Sequence, residues 1–148
     1  MVDARGIIIC AGLTLAAPLS AAGQGMPDSA PLLMPSGEMA YPLDEIWDES
    51  QSMIRLRFVV PKLAEPSSVY GGDPFRVFED MMWLCSTQMR GLTDIGEFPQ
   101  DQGWQGAIIT MLERDIPFGT RDADVVQFFE GFVFGMDGCE LEDDLYHD

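Results

Sequence analysis

Three cysteines, Cys10, Cys85 and Cys139, constrain this chain most, because the first lies in a segment that reads as one that is removed. Met1-Val2-Asp3-Ala4-Arg5 precedes an uncharged run from Gly6 to Leu19, then the small residues Ser20-Ala21-Ala22-Gly23, the layout of a cleavable secretory signal. The run is too short to span a bilayer and is broken by Pro18, so no permanent membrane anchor is expected after cleavage. Cys10 sits within the run and not just behind a small-residue motif, so there is no lipoprotein signature. Cleavage after Ala22 leaves 148 − 22 = 126 residues and two cysteines. In an oxidising compartment an even pair without Cys-x-x-Cys spacing is read as a structural bridge. Cys85–Cys139 would close a loop of 139 − 85 = 54 residues, for which loop entropy gives about 3–4 kcal/mol. The expected location is periplasmic or secreted.

A chain of this size supports one modest core. The expected layout is a signal peptide at 1–22, a flexible tether at 23–37 rich in Gly, Pro, Ser and Ala, a single domain at 38–142 and an acidic tail at 143–148. The net charge of −17 survives loss of Asp3 and Arg5 together and makes nucleic acid and anionic lipid poor partners.

Within the domain, Met39 to Trp47 is of mixed character and reads as a strand leading into a turn of helix. Ile54, Leu56, Phe58 and Val60 alternate with Arg55 and Arg57, the period of a half-buried strand that Pro61 ends. Asp73-Pro74 starts a helix running to Arg90, with an N-cap acceptor ahead of proline at the first helical position. Phe75, Phe78, Met82, Cys85 and Met89 line one of its faces, while Arg76, Asp80 and Trp83 fall on the polar side. Thr93 to Gly106 reads as a loop and Ala107 to Glu113 as a second strand. Beyond Asp122 helical and strand periods compete. The favoured reading is a short helical turn at Asp122–Gln127, then a hairpin of Phe128–Phe134 with Cys139–Glu142 about the Asp137-Gly138 turn. The fold expected is therefore α+β: a mostly antiparallel sheet of four to five strands, one principal amphipathic helix packed on it, and one disulfide.

Arg55-Leu56-Arg57-Phe58-Val59-Val60-Pro61, Asp80-Met81-Met82-Trp83-Leu84-Cys85, Glu113-Arg114-Asp115-Ile116-Pro117-Phe118-Gly119, Gln127-Phe128-Phe129-Glu130-Gly131-Phe132 and Asp137-Gly138-Cys139 resemble a family of small exported bacterial proteins that form a domain of unknown function. The resemblance covers about Gly37 to Leu141 and implies a common fold and paired cysteines, with no catalytic residues. Some members carry an acetolactate synthase label, but a thiamine-dependent synthase needs several large domains that 126 residues cannot supply. Glu140-Leu141-Glu142 stands where the family has an aromatic after the last cysteine, which implies a shorter final strand here.

Little in the sequence points to catalysis. The only histidine, His147, lies in the charged tail, so nucleophile–base machinery lacks its usual base. Glu113 with Asp115 is the least improbable carboxylate pair for a small hydrolase, which would require them in a cleft with one pKa raised. No clustered His/Cys set suits zinc, and no EF-hand loop is present. The acidic residues Asp137, Glu140, Glu142, Asp143 and Asp144 leave weak calcium binding as a further alternative. No cofactor or metal is expected. Arg55 and Arg57 concentrate cations on the outer face of a strand, where they either meet carboxylates of a neighbouring strand, Glu113 being one candidate, or bind a ligand. Trp83 on the polar helix face reads either as a contact anchor or as a ring covered by another segment. The leading expectation is a non-enzymatic module that contacts another periplasmic protein through Arg55, Arg57 or Trp83.

Overall fold

The alternating run Met53–Val59 becomes the central strand β4 of a curled mixed sheet in a computed structural model that describes residues 24–25, 30–92, 99–136 and 138–141. Residues 1–22, where the signal peptide is expected, Asp137 and the tail from Glu142 lie outside the described residues. Ile54, Leu56 and Phe58 are fully buried, as is Val60 just beyond the strand. The strands are β1 (Gln24–Gly25), β2 (Leu32–Leu33), β3 (Met39–Asp48), β4, β5 (Gly106–Leu112), β6 (Gln127–Phe134) and β7 (Cys139–Glu140). Six follow the order β1-β3-β4-β5-β6-β7, and β2 pairs separately with β3. Only β4 and β5 run parallel; the helix α1 (Pro74–Leu92) makes the crossover that a parallel pair requires. The fold is α+β as expected, with more strands than the sequence pattern indicates.

Three segments differ from expectation. Met39–Asp48 is strand throughout, with a register irregularity between Pro42 and Asp44, where a proline is tolerated. The segment ahead of it is packed rather than loose: Leu32 and Leu33 pair with Ala40 and Met39, and Met34 is buried, so the domain begins before Glu38. Asp122–Val125 is a turn closed by Val125 N–H to the Asp122 carbonyl, not helix, and β6 then runs unbroken to Phe134.

Asp73 acts as the helix start, its Oδ1 accepting the Phe75 N–H at 3.0 Å. The buried face of α1 is not the expected one. Val77, Asp80, Met81, Leu84, Cys85 and Met89 are buried, whereas Phe75 is 75% exposed and Phe78 and Met82 are half-buried. The face is turned by roughly one residue step of 100°. Asp80 is the reason, because an acid assigned to the solvent side is in fact held in the core. α1 packs on one face of the sheet, with Phe78 tilted against Phe132 at 5.8 Å between ring centroids. Gly106 permits close passage of β6, since a Cβ there would sit 2.1 Å from the Phe132 carbonyl oxygen.

Cys85 and Cys139 are joined, with Cα atoms 6.0 Å apart. The bridge ties mid-helix to β7, and Ser86 Oγ accepts the Cys139 N–H beside it at 3.1 Å. β7 covers Cys139–Glu140 and stops before Leu141, short of the expected end at Glu142.

Candidate functional site

Strand pairing places side chains of adjacent strands in rows on the sheet face away from α1. Asp44, Arg57, Thr110 and Phe129 form one row; Ile46, Arg55, Ile108 and Gly131 form the next. The expectation that Arg55 and Arg57 share this face is met, but their partners lie on β3 and not at Glu113. Arg55 bonds Asp48 at 3.0 Å and Gln51 at 2.9 Å, with both charged side chains about a fifth exposed. The Ser50 hydroxyl, and after it Arg55, hold the Asp48 carboxyl below the ordinary carboxylate range.

Arg57 is different in kind, being only 5% exposed. Nη1 donates to Asp44 Oδ2 at 2.7 Å, Nη2 donates to the Ile116 carbonyl, and the Phe118 ring covers the guanidinium at 5.7 Å. The turn after β5, pinned by Ile116 in a small cluster with Leu112 and Val125, therefore lies over this end of the sheet. Arg57 is engaged and covered, which leaves no open cationic pocket for an anion. Among the described residues Asp44 Oδ1 has no hydrogen-bond partner.

A second polar cluster sits on the helix side. Asp80, fully buried, accepts the Tyr70 O–H at 2.7 Å and the Ser36 N–H at 3.1 Å, and Ser36 Oγ lies 3.3 Å from the Tyr70 oxygen. Burial, and the Asp80 carboxylate beside it, push the Tyr70 hydroxyl above its ordinary value of 10.0 against an opposing pull from Ser36. The cluster fastens the segment around Ser36 to the helix. Nothing in the spacing of Ser36, Tyr70 and Asp80 marks them as neighbours, since the contacts span 44 and 10 residues.

The remaining sequence candidates are not brought together. Glu113 Oε2 accepts the Val126 N–H at 3.1 Å and so braces the turn ahead of β6, while Asp115 is exposed. A depression of about 250 Å³ is lined by Glu49, Ser52, Gln102, Gly103 and Trp104 and includes neither acid. Trp83 is half-buried against the main core, so it is covered in part, and the Trp104 ring meets Trp47 edge-on at 4.9 Å. Among the described residues no group of three or more His, Cys, Asp or Glu converges as metal ligands; the calcium candidates other than Glu140 lie outside them.

Aromatic rings are among the groups exposed on the helix-free face. Phe129 is 68% exposed and Phe118 55%. Sequence reasoning missed both, although Phe128-Phe129 at the start of a strand requires that one of the two rings face away from the helix layer.

A family model matches residues 13–143, nearly the whole chain. The chain belongs to DUF6497, a family of unknown function. No curated protein and no solved structure matches it. Within this DUF6497 domain, then, the assignment of roles rests on the geometry of the sheet face and its edges. No helix among the described residues is long and apolar enough to cross a membrane.

Proposed function

We propose that this protein is an exported interaction module that binds another protein of the periplasm or cell exterior through the helix-free face of its sheet, and that it is not an enzyme. The observation that carries the reading is the pair of exposed rings, Phe118 and Phe129, on a face whose arginines are already held by Asp44 and Asp48. An aromatic surface beside neutralised charge suits protein contact, where rings supply area at low cost in side-chain entropy. Export is supported by the signal pattern of residues 1–22 and by the Cys85–Cys139 bridge, which persists in oxidising compartments.

The test is crosslinking and co-purification from the native host with wild type and with a Phe118→Ser/Phe129→Ser double variant, both checked for folding by circular dichroism. The double variant is expected to lose the partner that wild type retains and to keep the fold. Identical partner lists would sink the face assignment. The same preparation reports on export, since the recovered chain is expected to begin near residue 23 and not at Met1.

A further inference from the structure

The outer side of β6 is an edge with main-chain groups to spare. On its inner side β6 pairs with β5 continuously from Gln127 to Val133. On its outer side β7 pairs with Val133 and Phe134 alone, and no other described strand adjoins Gln127–Phe132. Direction alternates along a strand, and the bonds fix its phase. The Phe134 N–H reaches the Gln105 carbonyl and the Val126 carbonyl receives the Glu113 N–H, both inward. Even-numbered residues therefore point their backbone groups to β5, and Gln127, Phe129 and Gly131 point theirs outward. The structure bears this out at Gly131, whose N–H is taken by the carboxylate of its own neighbour, Glu130, at 3.2 Å. A side chain that turns back to an edge donor is a substitute for a missing strand.

The usual protections of an edge are nearly absent. Gln127–Phe132 contains no proline, lysine or bulge, and its single charge is Glu130. Gly131 adds no bulk, for a Cβ there would meet nothing within 4 Å. Charge selects among occupants. Asp124, Glu130 and Glu140 border the edge in a chain of net charge −17, so a second copy would bring −17 against −17. A cationic segment would be drawn in and could relieve Glu130 of its substitute role.

We propose that β6 accepts an extended, lysine- or arginine-bearing segment of the partner protein as an additional strand, bonded to the outward backbone groups of Phe129 and Gly131. The proposal rests on the interaction-module reading and adds the binding mode and the chemistry of the partner. Strand addition takes its affinity from main-chain bonds and its selectivity from alternate side chains, here cations facing Glu130 and apolar groups beside Phe129.

The test uses the oxidised mature chain and three synthetic peptides: alternating Lys-Val, the same peptide N-methylated at every second residue, and alternating Glu-Val. Binding is followed by fluorescence anisotropy, and amide exchange is followed by NMR. The Lys-Val peptide is expected to bind and to slow exchange at Phe129 and Gly131. Methylation should weaken it at least tenfold, and the Glu-Val peptide should not bind. Gly131→Pro removes an outward N–H without touching the β5 ladder, an arrangement in which an edge strand tolerates proline, and should also weaken the Lys-Val peptide at least tenfold. No binding of Lys-Val, equal binding of the methylated peptide, or unchanged exchange at Phe129 and Gly131 would overturn the proposal, the last even if Gly131→Pro fails to fold. If folded Gly131→Pro keeps the native partner that Phe118→Ser/Phe129→Ser loses, strand addition is wrong and the face reading stands. If the double variant also keeps it, the face reading is wrong.

Discussion

Arg57 and Arg55 sit two residues apart on one strand and pair with Asp44 and Asp48 of the next, yet replacing them should have very different consequences. In Arg57→Ala, Asp44 loses the partner of Oδ2 while Oδ1 already has none, and the Ile116 carbonyl loses its donor. Removing one member of a buried ion pair costs about 3–5 kcal/mol, because a charge is left without compensation. The Asp44 side chain keeps 14% of its exposure, which places the expected loss near the lower end, about 3 kcal/mol. Arg55→Ala disrupts a pair with both side chains 21% exposed and should cost about 1 kcal/mol or less. Removing the stranded charge as well, in Arg57→Ala/Asp44→Ala, should recover part of the loss and give a coupling of about 2 kcal/mol in the cycle. Urea unfolding of the oxidised chain measures wild type, these three variants and the Asp44→Ala single variant that completes the cycle, with the slope held constant so that midpoints report stability. If Arg57→Ala and Arg55→Ala fall within about 0.5 kcal/mol of each other, the burial argument for Arg57 is refuted.

Replacing both cysteines, Cys85→Ala with Cys139→Ala, should lower stability by about 4 kcal/mol from the entropy of a loop with a sequence separation of 54. Mass spectrometry of the native protein should find neither thiol alkylated until a reductant is added. Tyr70 predicts an alkaline limit. Its folded-state pKa is raised above 10.0, so its contribution is fully present below about pH 10 and is lost as the pH climbs beyond, at up to about 1.4 kcal/mol per pH unit. Tyr70→Phe should be less stable at neutral pH, because Asp80 Oδ2 loses its donor, but should lack that alkaline component; equal slopes above pH 10 in the two proteins would remove Tyr70 as its source.

The elements legible from sequence are those whose pattern is local. Alternation located β4, Asp73-Pro74 located the start of α1, and the Asp-Gly turn located the β6–β7 hairpin. What escaped was set by distant partners. Asp80 reads as a surface acid because its donors come from Tyr70 and Ser36, and that misplacement carried the whole helix face with it. Asp44 and Asp48 went unnoticed because the second half of β3 read as helix. As strand, Asp44, Ile46 and Asp48 alternate onto one face, which puts Asp44 directly opposite Arg57 and Asp48 one pair beyond Ile46, within diagonal reach of Arg55. Burial of Arg57 also needed the turn at Ile116–Phe118, which joins it across 59 residues.

The distribution of these ties bears on where partners act. Asp80 fastens the helix to Tyr70 and Ser36, and Cys85 with Ser86 fastens it to β7. The helix layer is thus restrained by buried hydrogen bonds and a covalent bridge that span the chain from residue 36 to residue 139, and Asp80, Cys85 and Ser86 are engaged in these ties. On the opposite face the ion pairs are likewise internal and Phe118 lies over Arg57, but the Phe118 and Phe129 rings stay exposed, and among the described residues β7 pairs the outer side of β6 only at Val133 and Phe134. Exposed rings scattered singly on a surface need no explanation. Two on one face, one of them on an open strand edge, concentrate apolar area beside unpaired main-chain groups, which is the combination that a partner strand can bury at once. Substitutions on the helix side should therefore act on stability, and those on the β6 side on association.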